Sequence, residues 1–225
     1  MTPSASQGLA LIFDLDGVVV DSMPVHTLAW ERYLERLGIH SPEIVAQMHG
    51  RRNDEIVRMF VDSNTAEAVV HGHGAAKEQL FRDLIGADLA SHLVPGLGEF
   101  LTSAAGTPLG VASNAEPANV NFVLDFVLNE AALRTHFQVV ADGTAVERDK
   151  PFPDIYLHVA ERLGVRAENC VVFEDSPVGI LAARRAGMRV VGLLTHSESL
   201  DDTDISVKNF LAPELKPWLA QQHSR

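Results

Sequence analysis

A chain of 225 residues, 46% of them hydrophobic, can bury a sizeable core and suits one large domain or one domain carrying a smaller insert. Its 30 Asp and Glu against 18 Lys and Arg leave a formal net charge of -12, which argues against nucleic acid or an anionic membrane as a partner. The single Cys170 excludes an internal disulfide and, set in an apolar run, reads as a buried thiol. The opening MTPSASQG lacks a basic region followed by an apolar stretch, and no segment approaches the roughly 18 apolar residues of a membrane span. A soluble, cytoplasmic protein is expected.

The first apolar run, LALIF (9–13), ends in Asp14 and Asp16, then a glycine, then three valines. One Asp beside Gly is enough for a turn, and a buried strand tolerates no unpaired carboxylate. Two acids where a strand emerges point to something positively charged held there. Residues 21 to about 91 then read as helices: Pro24 through Leu37 carries a stripe of Val25, Leu28, Ala29, Leu34 and Leu37, with Gly38 as the stop. NDEIVRMFV, TAEAVVHG and AAKEQLFRDLIG continue in helical style, and Trp30 and Tyr33 read as core of this insert. His71-Gly-His73-Gly lacks a third nearby ligand and reads as a solvated turn rather than a metal site.

Pro95-Gly96 marks the return to an α/β rhythm. Four further runs follow, PLGVAS (108–113), FQVVA (137–141), CVVF (170–173) and VVGLL (190–194), without polar alternation, as strands covered on both faces appear. Between them, DIYLHVAERL places Ile155, Leu157, Val159, Ala160 and Leu163 on a helical face that Gly164 ends. SPVGILAARRAGM has Ser176 to cap, Pro177 in the first turn and Gly187 as the stop. The pattern predicts an α/β fold with a Rossmann-like, doubly wound parallel sheet and an inserted all-helical domain. After Leu200 the chain reads as a polar, acidic tail ending in the amphipathic PELKPWL.

In a parallel α/β sheet, ligands bind beyond the carboxyl ends of the strands. There the chain places Asp14 and Asp16, Ser113 and Asn114, Asp142 with Lys150 beyond it, and Glu174 with Asp175. Taken singly, each is a turn, a helix cap, a solvated lysine or an acidic helix start. Together, acids that would repel one another imply a cation among them, and hard oxygen ligands suit Mg²⁺. No G-x-S-x-G supports serine hydrolase chemistry, and Gly96-Leu-Gly98 lacks the third glycine and preceding strand of a dinucleotide site.

Four motifs in order, FDLDG, VASN, KPFPDIY and FEDSPVGILAARRAGM, resemble those of the haloacid dehalogenase (HAD) superfamily of phosphotransferases, subfamily I, in its β-phosphoglucomutase-like branch with a helical cap. The resemblance implies an α/β core over residues 1–20 and 92–225, a cap over 21–91, and a monomer. It makes Asp14 the nucleophile that becomes an aspartyl-phosphate and Asp16 the general acid and base. It implies Mg²⁺ on Asp14, the Asp16 carbonyl and Asp175, with Glu174 close by, and phosphoryl oxygens held by Ser113 and Lys150, with Asn114 beside them. His26 and Lys77 fall where the sugar-phosphomutase branch has a substrate-facing histidine and lysine, and Arg51 and Arg52 are candidate phosphate clamps.

The activity implied is a phosphatase for a small phosphorylated metabolite, a sugar phosphate by analogy, with a β-phosphoglucomutase-type mutase as the alternative. The similar mutases hold the non-reacting phosphate with a cap arginine and a lysine after the core serine. Here the cap position aligns with Asn53 and the core reads Ser113-Asn-Ala-Glu116, whose anion would repel a second phosphate. A dehalogenase is disfavoured by Asp16, since related dehalogenases lack the second acid. A phospho-receiver is much shorter and has no helical insert.

Overall fold

The computed structural model describes residues 8–40, 53–61, 63, 66–128 and 130–222. Two compact units emerge, Met1–Asp21 with His92–Arg225, and Ser22–Ser91. The first is built on strands β1 (Ala10–Phe13), β2 (Leu109–Ala112), β5 (Val139–Ala141), β6 (Cys170–Glu174), β7 (Arg189–Leu193) and β8 (Ile205–Val207). Between β2 and β5 lies a small antiparallel ribbon, β3 (Val127–Leu128) with β4 (Ala131–Ala132). The main sheet runs β5-β2-β1-β6-β7-β8, and every pairing in it is parallel.

The second unit holds α1 (Met23–Arg36), α2 (Asn53–Phe60) and α3 (Glu67–Gly86), with α4 (Leu89–His92) at its exit. Helix α3 packs on both α1 and α2, burying Val25, Ala29, Trp30, Tyr33, Leu34, Ile56, Val57, Phe81 and Ile85. Leu37, expected in the α1 stripe, is exposed, because the helix stops one residue earlier and Gly38 turns the chain at φ 75°. His71 and His73 lie inside α3, not on a turn. His73 Nδ1 meets the Tyr33 hydroxyl at 2.6 Å, and His71 is largely exposed beside Glu67.

The core helices are α5 (Leu97–Ser103), α6 (Pro117–Leu124), α7 (Asp154–Leu163), α8 (Pro177–Arg185) and α9 (Leu215–Gln222). Strand alternation sorts the core into two faces. Ala10, Ile12, Cys170, Val172 and Val190 meet Ile155, Tyr156, Val159 and Ala160 of α7 and Ile180, Ala182 and Ala183 of α8. Phe13 and Phe173 stack at 4.7 Å on the opposite face, with Phe100, Phe137 and Phe210 around them. Each buried Val, Ile or Phe among them contributes about 1.5–3 kcal/mol, so this two-sided packing is what holds the sheet.

Both expected helix stops hold: Gly164 closes α7 at φ 70° and Gly187 follows α8 at φ 77°. Ser176 caps α8 by accepting the Gly179 N–H at 3.1 Å. Leu157 departs from expectation and is exposed on α7. The sixth strand, β8, was not visible as an apolar run because it has three residues and only Val207 is fully buried, as an edge strand permits. Among the described residues, no helix is long and apolar enough to cross a membrane.

Candidate active site

Strand β1 lies at the middle of the sheet, where the chain order reverses between β2 on one side and β6 on the other. Such a reversal opens a crevice beyond the strand ends. Phe13 pairs with Phe173, so Asp14 and Glu174, one residue further, emerge level with each other. Alternation turns both away from the aromatic face and toward Tyr156. The Asp14 N–H donates to the Phe173 carbonyl at 3.0 Å, which fixes the backbone at the point of emergence.

The Lys150 ammonium joins them, donating to Asp14 Oδ1 and to Glu174 Oε1, each at 2.8 Å. Tyr156 donates its hydroxyl to the same Glu174 Oε1 at 2.8 Å, and its ring centroid lies 4.8 Å from the ammonium. Glu174 Oε2 accepts the N–H groups of Asp175 and Ser176, each at 3.0 Å, and the Ser176 hydroxyl at 2.9 Å. Glu174 is thus a fully buried carboxylate with five donors on two oxygens. A β-carbon on Gly179 would sit 1.6 Å from Glu174 Oε1, so only glycine leaves room for it on α8.

Asp14, Glu174 and Asp175 each offer an oxygen, all within 4.8 Å of one another. Burial first, then the charges of Glu174 and Asp16, push Asp14 up to about 7, although Lys150 opposes the shift. Burial and the carboxylates of Glu174, Asp14 and Asp16 push Asp175 up to about 9. Burial would also raise Glu174, but Lys150 and the hydrogen bonds hold it below its ordinary value. Burial alone would lower Lys150, but Asp14 and Glu174 outweigh it and keep the ammonium charged. Three acids crowd one ammonium in a desolvated place, where they could all be ionised only with further positive charge among them, and oxygen donors at this spacing fit a hard divalent cation such as Mg²⁺.

The loop after β1 is tied from two sides. Gly17, at φ 75°, donates its N–H to the Val20 carbonyl at 2.7 Å and its own carbonyl accepts the Thr195 hydroxyl at 2.6 Å. A β-carbon there would lie 1.9 Å from Asp175 Oδ2. The three valines that follow Gly17 in this loop are fully buried. Asp16 lies in it, half-buried, close enough for its charge to act on both Asp14 and Asp175.

Ser113 follows β2, buried, with its hydroxyl accepting the Ala115 N–H at 3.0 Å. It does not cap α6, which begins at Pro117 with Glu116 in the capping position. Asn114 is exposed, and its Oδ1 accepts the Lys150 N–H at 3.4 Å, linking the two loops. Asp142 spends its Oδ1 on the N–H and hydroxyl of Thr144, a local turn.

A family model described as haloacid dehalogenase-like hydrolase matches residues 9–187, which span β1 through the end of α8 and all of these groups except Thr195. The chain belongs to the haloacid dehalogenase-like hydrolases. It is 31% identical over 221 residues to protein CbbY of Rhodobacter capsulatus, covering 94% of this chain and 96% of that one. It is 32% identical over 183 residues to the fructose-1-phosphate phosphatase YqaB of Escherichia coli, covering 80% and 94%. The β-phosphoglucomutase of Bacillus subtilis is 30% identical over 194 residues, covering 82% of each. Among solved structures, a HAD hydrolase of family IA, variant 3, from Entamoeba histolytica aligns with a TM-score of 0.82 at 21% identity, over 96% of this chain and all (100%) of that one, which shows the fold.

In the helical unit of this hydrolase, His26 and Lys77 come together, with Lys77 Nζ 2.7 Å from His26 Nδ1. Neither is the solvated surface residue that each alone would be. Lys77 is 2% exposed, donates to Glu78 Oε1 at 2.9 Å and lies 5.4 Å from the Trp30 ring centroid. His26 stacks on Phe81 at 3.7 Å. Asn53 donates to the same Glu78 oxygen at 2.7 Å. Burial would raise Glu78, but Lys77, His26 and Asn53 together hold it below its ordinary value. Arg51 and Arg52 lie outside the described residues.

Sequence reasoning did not single out Tyr156, Gly179, Thr195 or Glu78. Tyr156 stood inside a quoted motif, and a glycine within a helical pattern is a signal of close approach that could have drawn notice to Gly179.

Proposed function

We propose that this hydrolase is a Mg²⁺-dependent phosphatase of small phosphorylated metabolites, sugar phosphates foremost, working through an aspartyl-phosphate on Asp14. The observation that carries the reading is the Asp14–Lys150–Glu174 chain at the end of the central strand, with Asp175 alongside. Asp14, Asp175 and the Asp16 carbonyl would hold the metal, with Glu174, its own oxygens taken up by five donors, close by. Bound there, Mg²⁺ would cancel charge repulsion between a carboxylate and a phosphate dianion.

Asp14 attacks phosphorus in line, forming an acyl phosphate while the bond to the leaving oxygen breaks. Asp16 gives its proton to that oxygen, then takes one from water, which attacks phosphorus and frees Asp14 with release of phosphate. Lys150 and Ser113 hold the transferring oxygens. Uncatalysed phosphomonoester hydrolysis is slow enough that accelerations up to about 10²¹ are known, so no single group supplies the rate.

A relative named fructose-1-phosphate phosphatase favours a phosphorylated sugar. A relative named β-phosphoglucomutase keeps the mutase as a second reading. Against it, Glu116 stands beside Ser113 and Asn114, where an anion repels a second phosphate, and Asn53 is engaged with Glu78.

The test is phosphate release from an aryl phosphate and a panel of sugar phosphates including fructose 1-phosphate. Turnover should need Mg²⁺, stop with EDTA and vanish in Asp14→Asn. Undiminished turnover in Asp14→Asn would sink the assignment. With β-glucose 1-phosphate and a trace of glucose 1,6-bisphosphate, rapid glucose 6-phosphate formation with little phosphate release would overturn phosphatase in favour of mutase.

A further inference from the structure

We propose that Tyr156 is a positioning residue: its hydroxyl sets where the second oxygen of Glu174 points, and through that oxygen it places the Lys150 ammonium. The inference rests on the phosphatase reading only in that Lys150 and Glu174 matter to the reaction. Tyr156 sits on the first turn of α7, fully buried, on a face otherwise made of Ile12, Val172, Val159 and other aliphatic side chains. A phenylalanine would fill that place as well and would keep a ring near the ammonium. A hydroxyl buried there is costly unless it is bonded, so its use lies in the bond it makes.

Glu174 Oε2 is already pinned from the start of α8 by two backbone N–H groups and the Ser176 hydroxyl. One pinned oxygen leaves the carboxylate free to tilt about it. Tyr156 removes that freedom, donating to Oε1 at 2.8 Å from α7 while Lys150 donates to the same atom. The ammonium then has a fixed carboxylate on one side, Asp14 Oδ1 at 2.8 Å on another and the tyrosine ring at 4.8 Å. Burial first and Glu174 second push the phenol well above its ordinary value, so it stays a donor. Groups of this kind, one bond behind the reacting residues, typically change metal affinity or activity by about 10–100-fold when removed.

The test is Tyr156→Phe in the full chain, measured three ways: far-UV circular dichroism and thermal midpoint without metal, Mg²⁺ dissociation constant by calorimetric titration, and kcat and KM for an aryl phosphate. The expected result is a folded variant with Mg²⁺ bound about tenfold or more weakly and kcat lowered about tenfold or more, with KM changed far less. In a Glu174→Gln background the same substitution should have little further effect on the Mg²⁺ constant, because the neutral amide no longer anchors the Lys150 ammonium whichever way Tyr156 orients it. Mg²⁺ affinity and kcat both within twofold of the unaltered chain would overturn the proposal, as would an equal effect in both backgrounds. The chain has two tyrosines, so 3-fluorotyrosine labelling of the unaltered sequence, assigned with Tyr33→Phe, gives a readout independent of variant folding. The Tyr156 fluorine resonance should shift on adding Mg²⁺, and an unmoved resonance would refute the coupling. If no substrate is turned over, the phosphatase reading fails while the Mg²⁺ measurements still decide Tyr156.

Discussion

Gly179→Ala separates local propensity from tertiary packing, because the two predict opposite signs. Gly179 lies in the first turn of α8, and alanine in a helix is better than glycine by about 1 kcal/mol. Propensity alone therefore predicts a more stable protein. The added β-carbon, however, would fall 1.6 Å from Glu174 Oε1, 1.9 Å from Cδ and 2.4 Å from Oε2. Glu174 is fully buried with five donors around it and nowhere to retreat without releasing Lys150 and Tyr156. Overpacking costs about 1–3 kcal/mol, and breaking a buried ion pair about 3–5 kcal/mol. Even after subtracting the propensity gain, the net loss is about 3 kcal/mol or more. At about 2–4 °C per kcal/mol for a chain of this size, the thermal midpoint should drop by about 6–12 °C or more. Phosphate release should fall with it, since Lys150 loses its anchor. Gly72→Ala is the control: its β-carbon meets nothing within 4 Å, so it should be neutral or slightly stabilising. A Gly179→Ala protein that melts at or above the midpoint of the unaltered chain would refute the placement of Glu174 against α8.

Lys77→Ala should destabilise the helical unit by about 3–5 kcal/mol, because Glu78 stays buried after losing its ammonium. Lys77→Met combined with Glu78→Gln should recover most of that, and a Lys77→Ala melting curve superimposable on the original would contradict the pairing. Metal and protons should compete. Asp14 and Asp175 hold protons up to about 7 and about 9 in the metal-free fold, against an ordinary 3.8. The folded chain then binds more protons than the unfolded one between about pH 4 and 9, so metal-free stability falls as pH rises through that window. Mg²⁺ must displace those protons, so its dissociation constant should be at least about tenfold weaker at pH 6 than at pH 8, with proton release seen in buffer-dependent titration heats. A pH-independent constant without proton release would contradict the shifts.

Much of this protein is legible in its residues because the signals are local. Valine- and leucine-rich runs name five of the six strands of the main sheet, Ser176, Pro177, Gly164 and Gly187 punctuate the helices, and Asp14, Glu174 and Asp175 gather just beyond the ends of two of those runs. The two-unit organisation follows from where the helical rhythm interrupts the strands. What only the tertiary structure decides is set by register and side-chain reach. Lys150 and Asp14 are 136 residues apart, and their 2.8 Å contact exists because β1 and β6 pair in parallel and α7 carries Tyr156 under Glu174. The edge strand β8 is too short to leave an apolar run, and Lys77 beside Glu78 looks like a solvated pair until α1 and α2 close over it. Burial depends on what covers a residue from elsewhere in the chain, and a one-dimensional pattern of apolar and polar residues does not carry that.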